Sequence, residues 1–544
     1  MLWFHRPKWY ENAIIYQIYP WSFQDSNGDG IGDLEGIISR LDYFRGSPHS
    51  LGVDALWLSP VYPSPMKDFG YDVTDYCDID KRFGTLETFD QLVKEAHKRG
   101  LKIIMDLVVN HTSREHPWFQ EARISKTNPK RDWYVWKDPL PGGLPPNNWL
   151  SVSGGSAWTP DPSTGQCYLH HFLPHQPDLN WRNEEVKKEF KKIIDFWLHR
   201  GVDGFRVDAV AHTVEDKRFR DDPVNEHFAP GVDKPYDAFL HIFDENQPEA
   251  IGVINLICDS SKKYKDTFIV TESYLELMDL MKVYDGVPYP NHTPFNFDLF
   301  DLFKKPWSAG IYRSFVDAFD KLVGAKRIAT YVLGNHDHRR IMTRFGELRT
   351  RLLALMLLTL RGTIFIYYGE EIGMKNVEIP KHKMKDGFAT LIENPSIARD
   401  PERTPMQWSP SPYAGFSDHE PWLPVSEDYE KVNVEKERSD PESMFYMYKT
   451  LLYFRNASEA LRYGEYISRN AKSPDVFFYS RKTSKEEWFV MLNFSDEIVT
   501  EELTVEGKKL EIACSTYMNA TLSSKENTIT LRPYEGILFT SVKS

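Results

Sequence analysis

Cysteine is scarce. Cys77, Cys167, Cys258 and Cys514 are the four among 544 residues, and no two of them form a CxxC or Cys/His pattern. That excludes a disulfide framework and a zinc knuckle, and the expected state is that of reduced structural thiols in a cytoplasmic protein. Long apolar runs are also missing. No window approaches the ~20 apolar residues of a membrane span, and Met1 to Pro20 mixes charged and aromatic side chains where a secretory leader needs an unbroken apolar stretch. No membrane partner is therefore expected. Positive charge is in deficit: 66 Lys and Arg against 79 Asp and Glu leave a net charge of −13. Nucleic acid and anionic lipid surfaces both require a basic face, so neither is an expected partner. Phosphate and nucleophile signatures are absent too. No GxGxxG follows the first strand candidate, and there is no Walker sequence and no GxSxG elbow.

What is present is an ordinary globular composition, 41% hydrophobic and 27% charged, on a chain too long for one small domain. Aromatics are plentiful at 14%, which suits a sugar cleft and a large core equally. Asn12 to Pro20, Val53 to Pro60 and Leu101 to Val109 read as buried strands, and a helix is predicted from Leu34 to Phe44. Thr85 caps a helix carrying Phe89, Leu92, Val93 and Ala96 on one face, and Asn183 caps another carrying Val186, Phe190, Ile193, Ile194, Trp197 and Leu198. Gly52, Gly100 and Gly201 each separate a helix from a following strand. Further strands are predicted at 204–209, Thr267 to Val270, Phe295 to Phe300, Ile328 to Leu333 and Gly362 to Tyr368. Eight strands alternating with helices predict an α/β fold, a (β/α)₈ TIM barrel. Between Thr112 and Pro174 the periodicity disappears under a crowd of Pro and Gly, so a small inserted domain is expected after strand 3. A last helix is predicted from Ser443 to Leu461, and short alternating runs from Tyr466 onward predict a C-terminal antiparallel β-domain. The expected division is 1–110 and 175–465 for the barrel, 111–174 for the insert and 466–544 for the β-domain.

The segment Asp25-Ser26-Asn27-Gly28-Asp29-Gly30-Ile31-Gly32-Asp33 places oxygen side chains at positions 1, 3, 5 and 9, with a glycine at 6 and a carbonyl at 7. Hard cations want several oxygens around such a turn, so a structural Ca2+ is expected here, with Mg2+ as the alternative ion. It is not an EF-hand, since position 12 is Gly36 and no helix precedes the loop.

Chemistry gathers at the ends of the predicted strands. Arg206 and Asp208 are two apart on a strand and share a face, opposite Phe205 and Val207. Alone, such a pair reads as a structural ion pair. Asp106, Asn110 and His111 end the third strand, Glu272 and Ser273 the fifth, Asn335, His336 and Asp337 the seventh, and Glu370 and Glu371 follow the eighth. Barrel enzymes keep their active sites at that end. Carboxylates converging there without a redox cofactor suit glycoside hydrolysis, in which one attacks the anomeric carbon and another moves a proton.

Four short motifs, DLVVNH (106–111), GFRVDAV (204–210), VTES (270–273) and GNHD (334–337), together with QPDLNW (176–181), resemble those of the α-glucosidase and oligo-1,6-glucosidase group of the α-amylase superfamily, glycoside hydrolase family 13. The resemblance runs from Trp9 to the end, by character alone over the last eighty or so residues. It implies a retaining double displacement with Asp208 as nucleophile, Glu272 as general acid/base and Asp337 as the carboxylate that stabilises the transition state. Arg206 would keep Asp208 ionised. His111 and His336 are similar to the family's donors to bound glucose, and Phe172 falls among its pocket residues. Asp68 and Tyr71, in DFGY, match the closed end of the pocket in exo-acting members, with Arg399 as the partner of that aspartate. Asp25, Asn27, Asp29, the Ile31 carbonyl and Asp33 match the group's calcium site. Ala209 stands where valine goes with α-1,6 preference, which implies α-1,4 links or sucrose instead. Ser153 stands where relatives usually carry an aromatic against the glucose, a departure that bears on how tight the pocket is. The implied substrate is a short oligosaccharide or disaccharide, and the implied assembly a monomer or homodimer. Sucrose isomerases, transglucosylases and trehalose synthases use the same catalytic set, but the isomerases' RLDRD-type segment does not occur between Glu272 and Asn335. Silent transporter subunits of this superfamily carry a membrane span and lose catalytic carboxylates, unlike this chain.

Overall fold

The computed structural model describes residues 7–391, 397–502, 509–519 and 528–542. Eight strands, Ile14–Ile18, Ala55–Leu58, Lys102–Val108, Gly204–Asp208, Phe268–Thr271, His292–Pro294, Thr330–Val332 and Thr363–Tyr367, form one sheet whose ladders are all parallel. Its order runs seventh, eighth, first, second, third, fourth, fifth, sixth. The sixth and seventh strands meet through threonines instead of a ladder. Thr330 donates its hydroxyl to the Pro294 carbonyl at 2.9 Å, and Thr293 donates to the Ile328 carbonyl at 2.8 Å. This seam nearly closes the barrel.

Alternation along the strands decides what faces where. Ile15, Trp57, Ile104, Val270, Val332 and Phe365 form a compact cluster inside the barrel. Their neighbours Tyr16, Leu56, Ile103, Phe205, Val207, Ile269 and Ile366 belong to the larger core shared with the surrounding helices. Both faces of each strand are thus buried, as a parallel sheet requires. Leu86–Lys98 and Glu184–His199 bury the apolar faces expected of them, and the Thr85 and Asn183 side chains accept the Thr88 and Glu185 amides at their N-termini.

Three elements differ from the sequence reading. The sixth strand lies at His292–Pro294, not at Phe295–Phe300, and Asp298–Asp301 is helical. Phe295 and Phe297 are apolar because they plug the barrel interior beyond the strand. The helix predicted over Leu34–Phe44 is two pieces, Leu34–Ser39 and Leu41–Phe44, broken at Arg40. The last helix is also two, Met444–Ala457 and Glu459–Tyr463, because Ser458 takes an extended conformation and its side chain caps the second.

Between the third and fourth barrel strands lies a three-stranded antiparallel sheet, Trp136–Lys137, Gln166–Leu169 and Trp158–Asp161, with Gln166–Leu169 in the middle. After the barrel, Glu465–Arg469, Val476–Lys482, Glu487–Asn493, Gly536–Val542 and Lys509–Ser515 form a five-stranded antiparallel sheet in that order, with Val499–Glu502 and Thr528–Leu531 as a separate pair. The C-terminal domain is therefore antiparallel β. No helix among the described residues is long and apolar enough to cross a membrane.

Candidate active site

The fourth barrel strand presents Arg206 and Asp208 inward, while Phe205 and Val207 pack outward. Arg206 is 1% exposed, and a buried guanidinium must be met by acceptors. One terminal nitrogen donates to Asp106 at 2.8 Å and to Asp208 at 2.5 Å, and the other pairs with Glu272 at 2.7 Å. Asp106 comes from the register neighbour on the third strand and also accepts from Trp57 and Tyr71, each at 3.1 Å. Three buried carboxyl groups thus share one cation. Burial pushes all three up against the pull of Arg206: Asp106 to about 6, Asp208 to about 7 and Glu272 to about 7. Arg206 does favour the ionised Asp208, but burial is the stronger influence.

Ala209 ends the strand in the left-handed region, φ 47°, and its amide donates to Glu272 at 2.9 Å. A non-glycine residue there costs about 1–2 kcal/mol. The turn fixes the carboxyl of Glu272 beside Asp208.

Asp337, at the end of the seventh strand, is under the opposite influence. Burial alone would raise it, but His336, Arg399 and Arg403 pull it well below the ordinary carboxylate range. Its Oδ1 accepts from Arg399 at 3.0 Å and from Arg403 at 2.8 Å. His336 is kept neutral by burial. Gln17 faces its Nδ1 at 2.8 Å, while Tyr71 at 2.7 Å and Asp337 at 3.2 Å face its Nε2.

Arg399 closes one side of the mouth. It donates to Asp68 at 2.7 Å and takes a two-pronged grip on Asp386 at 2.8 and 3.0 Å. Gln176 donates from one nitrogen to Asp68 and to His111, each at 3.0 Å. Burial holds His111 below the usual imidazole range. Phe172 packs on His111 with ring centroids 5.2 Å apart. Asp68, Tyr71, His111, Phe172, Arg206, Asp208, Glu272, His336, Asp337 and Arg399 therefore form one connected set. Ser153 is fully buried and donates to the Phe172 carbonyl at 3.1 Å, so it supports the pocket wall from behind.

The description "Alpha amylase, catalytic domain" matches residues 17–464. The chain belongs to the α-amylase family. It is 40% identical over 523 residues to a probable alpha-glucosidase of Rhizobium meliloti (strain 1021), covering 92% of each chain. It is 39% identical over 576 residues to an oligo-1,6-glucosidase of Heyndrickxia coagulans, covering 98% of this chain and 99% of the other. Among solved structures it is similar to an alpha-glucosyl transfer enzyme, XgtA, with a TM-score of 0.89, 35% identity, and 99% and 100% of the two chains covered. The chain is thus a member of glycoside hydrolase family 13, in the group of the alpha-glucosidases and oligo-1,6-glucosidases.

One sequence expectation at the mouth of this α-amylase-family barrel changes. Glu370 and Glu371 do not join the carboxylate cluster. Glu371 accepts the hydroxyls of Tyr16 and Tyr43 at 2.7 and 2.5 Å, and Glu370 accepts that of Tyr448 at 2.9 Å. Their backbone turns at Gly369, in the left-handed region, and carries both to the helix side of the strand. Conversely, Asp386 and Arg403 hold the site together and were not picked out. Arg403 lies four residues after Arg399 in the segment Ala398-Arg399-Asp400-Pro401-Glu402-Arg403. Asp386 stands alone in an aperiodic stretch that gives no sign of its partner.

The proposed calcium loop lies apart from this set, beneath Phe416–Pro421. Asp25 accepts the amides of Asn27, Gly28 and Gly30 and the Ser417 hydroxyl, while Asp33 accepts from Ser26 and Gly36. Among the described residues, the carboxylates of Asp25, Asp29 and Asp33 do not form a three-ligand group within 4.8 Å. The donors are all oxygen, as calcium requires; Asp25 already accepts four hydrogens, about the capacity of a carboxylate, whereas Asp33 accepts three and Asp29 one, so the free positions lie on those two.

Proposed function

We propose that the chain is an exo-acting, retaining α-glucosidase that releases glucose from the non-reducing end of short α-glucosides. The observation that carries this reading is the single guanidinium of Arg206 gripping Asp208 and Glu272 at its two ends. A guanidinium spans only a few ångströms. That shared grip supports the ~5–5.5 Å spacing of a retaining pair over the ~6.5–9.5 Å that admits a water between the two carboxyl groups. Asp208 attacks the anomeric carbon while Glu272, raised to about 7 by burial, protonates the departing oxygen. Glu272 then takes a proton from the water that releases the glucosyl group. Asp337, held ionised by two arginines, faces the positive charge that develops on the sugar ring. Asp68, Arg399 and Tyr71 block the far end of the pocket, which supports cleavage of terminal glucose only. His111, His336 and Phe172 complete the wall around it. Small Ala209 supports α-1,4-glucosides or sucrose over α-1,6 links.

Asp25, Asn27, Asp29, Asp33 and the Ile31 carbonyl would hold a structural calcium ion, or magnesium, that stiffens the turn after the first strand. The thiols of Cys77, Cys167, Cys258 and Cys514 are free, which supports a reducing compartment, the cytoplasm.

Asp208→Asn tests the assignment: p-nitrophenyl α-glucoside hydrolysis should be abolished with the circular dichroism spectrum intact, and near-normal turnover would sink it. A second reading, glucosyl transfer or isomerisation, is favoured by the likeness to XgtA and to a trehalulose synthase (TM-score 0.86, 32% identity). A product profile on maltose, isomaltose, sucrose and trehalose separates the two, since hydrolysis yields free glucose from the outset and transfer yields new disaccharides.

A further inference from the structure

The chain between the fourth barrel strand and the helix Ala250–Ser261 makes a long excursion over the inserted sheet. Asn148 of that sheet's approach and Asp222 exchange two bonds, each 2.8 Å, which dock the excursion there. Behind Asp222 lie His241 and Asp244. One oxygen of Asp222 accepts the Phe243 amide at 2.9 Å, and one oxygen of Asp244 faces His241 Nδ1 at 2.8 Å. The remaining oxygens, Asp222 Oδ2 and Asp244 Oδ1, meet no hydrogen-bond donor, although Asp222 is 3% and Asp244 0% exposed, and the two carboxyl groups face each other within hydrogen-bonding reach. A buried carboxylate oxygen left bare is costly.

His241 sharpens the case. Its Nε2 lies 2.8 Å from the Tyr236 carbonyl, an acceptor, so Nε2 carries the hydrogen. A neutral imidazole then points the lone pair of Nδ1 at the carboxylate of Asp244, an arrangement that either a bound cation or a second proton on the ring resolves. A backbone carbonyl fixing the far nitrogen is the usual support of a metal-binding histidine. Tyr236 stacks flat on the ring with centroids 3.6 Å apart and holds its orientation. Ligand atoms from Asp222, His241 and Asp244 lie within 4.8 Å of one another.

We propose that Asp222, His241 and Asp244 form a divalent-cation site of the zinc class that cross-links the excursion where it docks beside the inserted sheet. One imidazole nitrogen and two carboxylate oxygens suit a first-row transition ion better than calcium, which prefers oxygen alone. The site is distinct from the Asp25–Asp33 loop, whose donors are all oxygen. The rival explanation is a second proton, either on His241 or shared between the two aspartates.

The test titrates ZnCl2 into the full chain, stripped with chelator and held in excess calcium so that the Asp25–Asp33 loop does not compete. Calorimetry should show one zinc per chain, with affinity about tenfold or more weaker in Asp222→Asn and in Asp244→Asn. Both variants should keep p-nitrophenyl α-glucoside hydrolysis. Cobalt(II) in the wild type should give a d–d absorption band that zinc displaces, a readout independent of whether any variant folds. No saturable zinc binding and no cobalt band in the wild type would mean that a proton fills the role. Unchanged zinc affinity in both variants would place the metal elsewhere. Either result overturns the proposal.

Discussion

Replacing Asp386 by asparagine probes how the closed end of the pocket is held. Asp386 is fully buried, accepts the Nε and Nη2 hydrogens of Arg399 at 3.0 and 2.8 Å, and also takes the Arg399 amide at 2.8 Å. Burial would raise its carboxyl, but Arg399 holds it down at about 2. Asparagine keeps the volume and loses the charge, and its amide hydrogens would face those of the guanidinium. Breaking a buried pair from one side costs about 3–5 kcal/mol. Arg399 retains Asp68 and Asp337, so the lower figure applies, and about 3 kcal/mol corresponds to roughly a hundredfold in rate or binding. Steady-state kinetics on maltose should show kcat/KM reduced by roughly a hundredfold, chiefly through KM, because in the proposed pocket Arg399 and Asp68 would hold the sugar's far end and not its reacting carbon. Stability should fall too, with a defined pH dependence. The folded carboxyl lies below its unfolded value near 3.8, so its contribution is complete above ~4 and fades as pH falls toward 2. The melting gap between wild type and variant should therefore narrow on acidification. A variant with wild-type KM would show that Asp386 does not position Arg399.

Three further outcomes follow from the same geometry. Asp106, Asp208 and Glu272 have folded values raised above their unfolded ones, so whatever stability they give is present below ~4 and lost as pH rises toward about 7. Asp208→Asn, which relieves one acid of the crowd, should raise stability at pH 7.5 by about 1 kcal/mol, roughly 2 °C in Tm, with a smaller gain at pH 4; a lower Tm at pH 7.5 would contradict this. Chelation of calcium should lower Tm in the wild type and not in Asp25→Asn, and calcium should restore it; equal responses would remove the metal from the Asp25–Asp33 loop. Ala209→Val places a β-branched residue at φ 47°, so it should cost about 1–2 kcal/mol of stability while raising the isomaltose-to-maltose rate ratio; an unchanged ratio would detach linkage preference from this residue.

Much of this architecture was legible because its signals are periodic. Burial on both faces makes a parallel strand a short apolar run, and Arg206 and Asp208 interrupted one such run on a single face. The chain could not show that Asp106 sits beside Arg206, a register fact, or that one cation would serve three acids. Burial, with Asp106 close by, is what raises Asp208 even though an arginine touches it. The sixth strand was misplaced because Phe295 and Phe297 carry the apolar signal of a strand while filling the barrel's interior. Glu370 and Glu371 follow a strand as catalytic acids do, yet a left-handed Gly369 turns them toward tyrosines, and nothing local to the sequence says which way such a turn goes. Asp386 was invisible for the opposite reason: its partner is thirteen residues away along a sequence with no periodic pattern.

Trapping the glucosyl–enzyme bond tests the central claim most directly. A fluorinated α-glucosyl fluoride that slows the second step, followed by proteolysis and mass spectrometry, should place one glucosyl adduct on the peptide containing Asp208. An adduct on Glu272 or Asp337, or release of the opposite anomer with no adduct at all, would contradict a double displacement through Asp208.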